Sequence, residues 1–190
     1  MPANTDTNDI RAQRPGPDDD RVGEMLRVDH AGEYGAVQIY RGQRAVFNGV
    51  SGKQDLSDLL QEMEDGEAHH LATFDRLLVE RGVRPTLMAP LWNVAGFALG
   101  AGTALMGEKA AMACTAAVEE VIEQHYAQQA DELKDTHTDL SQTVAEFRED
   151  EISHKTTAEE HGAEDAPGYS FLKAAIQLGC RAAIKISEKI

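Results

Sequence analysis

Glu67-Ala-His-His70 and Glu151-Ile-Ser-His154 are the two places in this 190-residue chain where a histidine follows a glutamate by three. On a helix that interval sets carboxylate and imidazole one turn apart on the same face, where both can hold one metal ion. Each pair has a single glutamate ahead of it: Glu33 stands 34 residues before Glu67, and Glu119 stands 32 before Glu151. Tyr40 and Tyr126 follow those leading glutamates at the same interval of seven. The order Glu, then Glu-x-x-His, given twice, is that of a dinuclear site built inside a helical bundle. Expected metal ligands are therefore Glu33, Glu67, His70, Glu119, Glu151 and His154. Imidazole with carboxylate suits iron or manganese better than copper or zinc.

These residues need elements that aim them inward. Capping and breaker signals draw helices over 20–48, 55–81, 91–131 and 139–161, with a fifth over 169–188 after Pro167-Gly168. Each of the first four carries an inward seam: Leu26, Glu33, Tyr40, Phe47; then Leu60, Met63, Glu67, His70, Phe74; then Met112, Thr115, Glu119, Tyr126, Leu133; then Val144, Phe147, Glu151, His154, Ala158. A carboxylate interrupts every seam. Four buried, unpaired carboxylates would protonate rather than stay charged, unless a cation compensates them. Two divalent ions would balance their four negative charges.

Neighbouring residues are read more plainly. His69 points about 100° away from His70 and is expected at the surface. Glu120 falls outside the seam, and His161, two turns beyond His154, is a candidate to support it. Tyr40 and Tyr126 are core tyrosines whose hydroxyls need partners, which a carboxylate just outside the ligand shell would supply. Gly32 and Gly35 cost about 1 kcal/mol each inside a helix, a cost that makes sense if something approaches the backbone there; close helix packing is the plainer reason.

Composition agrees with an all-α class, since only 5% of residues are aromatic and helix formers dominate. The net charge of −15 excludes nucleic acid as a partner. Cys114 and Cys180 lie far apart and read as buried free thiols in a reducing compartment. Residues 1–19 read as a disordered lead-in and 20–190 as one domain. Gly100-Ala-Gly102 lacks both the third glycine and the preceding strand of a dinucleotide fingerprint, so no resident nicotinamide or flavin is expected.

The segments RVDHAGEYGAVQIYRGQ, EAHHL, CTAAVEEVIEQHY and FREDEISH resemble the motifs of the demethoxyubiquinone hydroxylases of ubiquinone biosynthesis, from about Arg21 to the end of the chain. The Asp-His-Ala-Gly-Glu run ending at Glu33 is the most specific of these. The resemblance implies a ferritin-like four-helix bundle with an additional C-terminal amphipathic helix, and two iron ions held by the same six residues, with Glu67 and Glu151 bridging. It further implies dioxygen-dependent insertion of one oxygen atom into the ring of a prenylated benzoquinol, with no catalytic residue beyond the metal ligands. Electrons would come from an external donor, reduced quinol or transiently bound nicotinamide. Further copies of the chain or other ubiquinone-biosynthesis proteins are the remaining expected partners. The competing reading is a ferritin-like ferroxidase, which has no use for a long apolar stretch.

Such a stretch runs from Pro85 to Gly107, 23 residues without a charge. Its length would cross a bilayer core of about 30 Å, yet a crossing there would separate Glu33, Glu67 and His70 from Glu119, Glu151 and His154. We therefore expect peripheral attachment to the cytoplasmic face of the inner membrane. Trp92 and Phe97 would form an interfacial patch and the wall of a quinone channel, with a simple buried core helix as the alternative. The last helix adds Lys173, Arg181, Lys185 and Lys189 beside Phe171, Ile176, Leu178 and Ile184, a basic amphipathic segment.

Overall fold

A computed structural model describes residues 17–190. The expected lead-in lies outside the described residues except for 17–19, which open the first helix. The described chain is all helix: α1 (Pro17–Phe47), α2 (Gln54–Arg81), α3 (Ala89–Leu105), α4 (Glu108–Leu133), α5 (Thr138–Glu160), a 3-10 turn (Ala163–Asp165) and α6 (Tyr169–Ser187). α1 pairs with α2 and α4 with α5, giving two hairpins whose inner faces build the expected ferritin-like bundle. α3 lies along the outside of α1, and α6 lies along α4.

The helix expected over 91–131 is two helices. α3 stops at Leu105, and Gly107 turns the chain with φ of 115°, a conformation that side-chain-bearing residues rarely adopt. The turn lets an outer helix hand over to an inner one. α3 also differs from a buried core helix, because its buried positions are small: Gly96, Gly100, Thr103 and Ala104. Its backbone rests directly on α1. A β-carbon on Gly96 would sit 2.8 Å from the Gly35 carbonyl oxygen, and one on Gly100 would overlap the Ile39 carbonyl.

Two apolar layers lie at the ends of the bundle. One gathers Phe47, Leu60, Met63, Ala111 and Met112. The other gathers Leu26, Phe74, Leu78, Leu133, Val144 and Phe147. Each large apolar side chain so buried contributes about 1.5–3 kcal/mol. Between the layers, at mid-bundle, sits the charged one.

Candidate metal centre

All six expected ligands face that middle layer. Glu33, Glu67, His70, Glu119 and Glu151 are buried, and His154 is nearly so. Glu33, Glu67, His70 and Glu151 offer donor atoms that all lie within 4.8 Å of one another; Glu67, Glu119, Glu151 and His154 do the same. Glu67 and Glu151 belong to both groups, the placement a bridging carboxylate requires. Both imidazoles turn Nδ1 inward: His70 Nδ1 lies 3.2 Å from Glu151 Oε1, and His154 Nδ1 lies 2.9 Å from Glu67 Oε1.

These donors converge without satisfying one another. Glu33 Oε2, both oxygens of Glu67 and of Glu151, Glu119 Oε2, and Nδ1 of His70 and His154 are buried and make no hydrogen bond. So many orphaned polar atoms in one small volume would be costly unless a cation collected them. The donor set fits two metal ions.

Protonation shows the same demand. Burial, and then the neighbouring Glu67 charge, push Glu119 up to about 7. Burial and the same charge raise Glu33 and Glu151 well above the ordinary carboxylate range. Burial opposes ionisation of Glu67 as well, but the His154 and His70 imidazoles hold it down at about 2. Without metal, burial thus favours the protonated forms of Glu33, Glu119 and Glu151; cations would displace those protons.

The tyrosines are placed more tightly than expected. Tyr40 donates to Glu119 Oε1 at 2.6 Å, and Tyr126 donates to Glu33 Oε1, so their partners are the candidate ligands themselves, each from the opposite hairpin. His69 is exposed as expected, and Glu120 pairs at the surface with Lys173 at 2.5 Å. His161 is exposed and turns Nδ1 to its own helix at Thr157, so it does not support His154.

Sequence reasoning missed several buried polar groups. Asp29 accepts from Gln129 at 2.8 Å, and His30 lies 3.0 Å from Asp75. Glu64 gathers Arg41 and Arg44. It also missed Asp150, a surface carboxylate 3.1 Å from His70 Nε2. Only Asp29 and His30 had a visible signal, as the residues opening the Asp-His-Ala-Gly-Glu run.

Beside the metal layer lies an apolar cavity of about 560 Å³. Its floor is Gly32 and Ala36, which bracket Glu33, with Val118 and Ile122, which bracket Glu119; its walls are α3 and α6. A β-carbon on Gly32 or Gly35 would meet nothing within 4 Å, so a side chain at either position would project into the cavity, even though α3 packs on the Gly35 carbonyl. Trp92 lines it and donates Nε1 to Ser187 Oγ at 3.1 Å, tying α3 to α6. Phe97 faces outward instead. Cys180 also lines the cavity and is only partly buried, unlike Cys114.

The family model for ubiquinone biosynthesis protein COQ7 matches residues 20–187. The chain belongs to that family. It is 51% identical over 172 residues to the NADPH-dependent 3-demethoxyubiquinone 3-hydroxylase, mitochondrial, of Rattus norvegicus, covering 88% of this chain and 77% of the relative. Identity to the 3-demethoxyubiquinol 3-hydroxylase of Rhodospirillum rubrum is 50% over 169 residues, 89% of this chain and 78% of the relative. The 5-demethoxyubiquinone hydroxylase, mitochondrial, of Saccharomyces cerevisiae is 41% identical over 184 residues, with 89% and 78% covered. The resemblance drawn from the motifs holds, and the ferroxidase reading is not favoured.

Proposed function

We propose that this COQ7-family protein is a dioxygen-dependent di-iron monooxygenase that hydroxylates the ring of a prenylated ubiquinone precursor, 3-demethoxyubiquinol to 3-demethylubiquinol. The observation that carries the reading is the apolar cavity lined by the α1 and α4 residues next to Glu33 and Glu119, which sets a lipid-sized space against the two helices that bring those ligands to the charged layer. Glu33, Glu67, His70 and Glu151 would hold one iron, and Glu67, Glu119, Glu151 and His154 the other. Bound iron would supply the capacity to reduce dioxygen and transfer one of its atoms. Overall, one ring hydrogen is replaced by hydroxyl while two electrons and two protons take the second oxygen atom to water.

The chain's own residues do the rest. Tyr40 and Tyr126 fix Glu119 and Glu33 through their hydroxyls. Gly32 and Gly35 clear the floor so that a planar ring can approach. The apolar walls exclude bulk water that would otherwise quench reactive species. Electrons come from an external donor; the rat relative's name is NADPH-dependent, which makes NADPH the first to try.

The same face supports attachment to a membrane. No described helix is long and apolar enough to cross a bilayer. Leu91, Val94 and Leu105 of α3, with Phe171 and Leu178 of α6, are exposed beside the cavity. Ile176 and Ile184 turn inward to line it, which narrows the outward face expected of α6. Lys173, Lys185 and Lys189 are paired with Glu120, Glu188 and Glu24, so apolar insertion rather than basic charge would anchor the protein. The membrane face is the cytoplasmic one in this reading, and a further copy of the chain or another biosynthetic protein remains a partner to seek.

The test is aerobic incubation of iron-loaded protein with a reductant and demethoxyubiquinol, followed by mass spectrometry of the quinone. Gain of one oxygen atom is expected. No product with full iron content and reductant would sink the reading.

A further inference from the structure

The two hairpins are related by a repeat, and the repeat fails at one telling position. Glu67 corresponds to Glu151 and His70 to His154, so the residue before each glutamate also corresponds: Gly66 in α2, Asp150 in α5. Both positions reach across to the other hairpin's histidine. Asp150 Oδ2 lies 3.1 Å from His70 Nε2. A β-carbon on Gly66 would lie 3.4 Å from both Cε1 and Nε2 of His154. Position 66 thus reaches the His154 ring as position 150 reaches that of His70, but it carries no side chain. Among the described residues His154 Nε2 has no protein partner, whereas its Nδ1 faces Glu67.

Two further differences point the same way. Phe147 stacks on the His70 ring with centroids 4.0 Å apart. Tyr40 meets His154 only edge-on at 6.3 Å. The His70 side chain is 1% exposed and that of His154 is 15%. A carboxylate on the far nitrogen of a ligating imidazole fixes its tautomer and orientation and raises its basicity, and removing one typically costs 10–100-fold in metal affinity. Packing that immobilises the ring acts in the same direction, because less side-chain freedom is lost on binding.

We propose that the two half-sites hold metal unequally: the ion on Glu33 and His70 is the retained one, the ion on Glu119 and His154 the labile one, and Asp150 is the positioning residue that makes the difference. This rests on the reading that the six residues hold two ions. Asp150 is itself largely exposed, so its effect belongs at the lower end of the range, about tenfold.

The experiment is calorimetric titration of metal-free protein with Co(II) under argon, with the visible absorption of bound Co(II) followed alongside. Two binding steps separated by about tenfold or more are expected for the native chain. His154→Ala should remove the weaker step and His70→Ala the tighter one. Asp150→Ala should weaken the tighter step about tenfold, Asp150→Glu should restore it, and Gly66→Asp should strengthen the weaker step toward the first. Helix content from circular dichroism should stay native in the variants at 66 and 150. Two equal steps in the native chain, or a tighter step that Asp150→Ala leaves unmoved, would overturn the inference. Binding of no Co(II) at all would instead overturn the dinuclear reading beneath it, and the inference with it.

Discussion

The metal layer and the apolar cavity break the same rule in opposite directions. In the first, carboxylates occupy seam positions that belong to leucine; in the second, small and apolar side chains surround a space that water would otherwise fill. The layer is dense, with the donor atoms of each group within 4.8 Å of one another and no hydrogen bonds between most of them. The cavity is open and lined by glycine where a larger residue would fit. Neither arrangement maximises stability, and they lie back to back on α1 and α4. A residue that serves one region should therefore be separable from a residue that serves the other.

The largest separation is expected at the shared carboxylates. Glu151→Ala should lose both metal ions and all turnover, because Glu151 belongs to both donor groups. His70→Ala should also lose metal. Elemental analysis checks this, and full metal content in either variant would contradict it. Gly35→Leu should do the reverse: metal content stays native, helix stability is unchanged or rises by up to about 1 kcal/mol, and turnover of a long-chain quinol falls at least about tenfold. A turnover loss accompanied by metal loss would mean that the two regions are not separable.

The outer surface should show a smaller effect. Phe171 and Leu178 are exposed on α6 by 81% and 70%, so replacing both with Asp should reduce pelleting with liposomes severalfold. Hydroxylation of a soluble short-chain quinol should survive, and unchanged pelleting would show that the face does not meet lipid. Complete absence of the native chain from the pellet at low salt would count against attachment altogether.

The smallest expected effect separates the metal layer from itself, with and without ions. Glu33, Glu119 and Glu151 have raised folded-state values, with Glu119 near 7, and His70 and His154 are raised too. The metal-free folded state therefore holds protons that the unfolded chain has released. Its stability is fully present at low pH and is lost as pH rises, at Glu119 from the ordinary carboxylate range up to about 7 and at the other raised groups further still. Glu67, lowered to about 2, has the opposite sign but acts only below the ordinary carboxylate range. Thermal melting of metal-free protein should fall over that interval, whereas metal-loaded protein, whose ligands are already deprotonated, should not follow it.

The sequence made one of these regions far more legible than the other. Glu33, Glu67, His70, Glu119, Glu151 and His154 stand out because an ionised carboxylate in an apolar seam has few physical solutions, and the repeat excludes most of them. α3 was harder. Its contact face is Gly96 and Gly100, which carry no hydrophobic signal, and a glycine at 107 is tolerated inside many helices, so the break between α3 and α4 left the periodicity undisturbed. Asp150 was invisible for another reason: it looked like one more acidic residue on a solvated face, and its partner is 80 residues away. Tyr40 and Tyr126 were read as needing carboxylates, yet which carboxylates depends on how the hairpins cross.

That crossing bears on how the molecule comes to exist. Tyr40 and Glu119 are 79 residues apart, and Tyr126 and Glu33 are 93 apart, so each hairpin can form its own helices but cannot finish its own ligands. Closing such distant contacts costs chain entropy that local helix formation does not repay. The charged layer should accordingly assemble last in folding, after the apolar ends have docked. Refolding followed simultaneously by circular dichroism and Co(II) absorption should show helix first and metal competence later; simultaneous onset would place the metal in the nucleus instead. If helix comes first, metal starvation leaves the cell with a folded reservoir of empty protein, and activity can be restored by supplying iron without new synthesis.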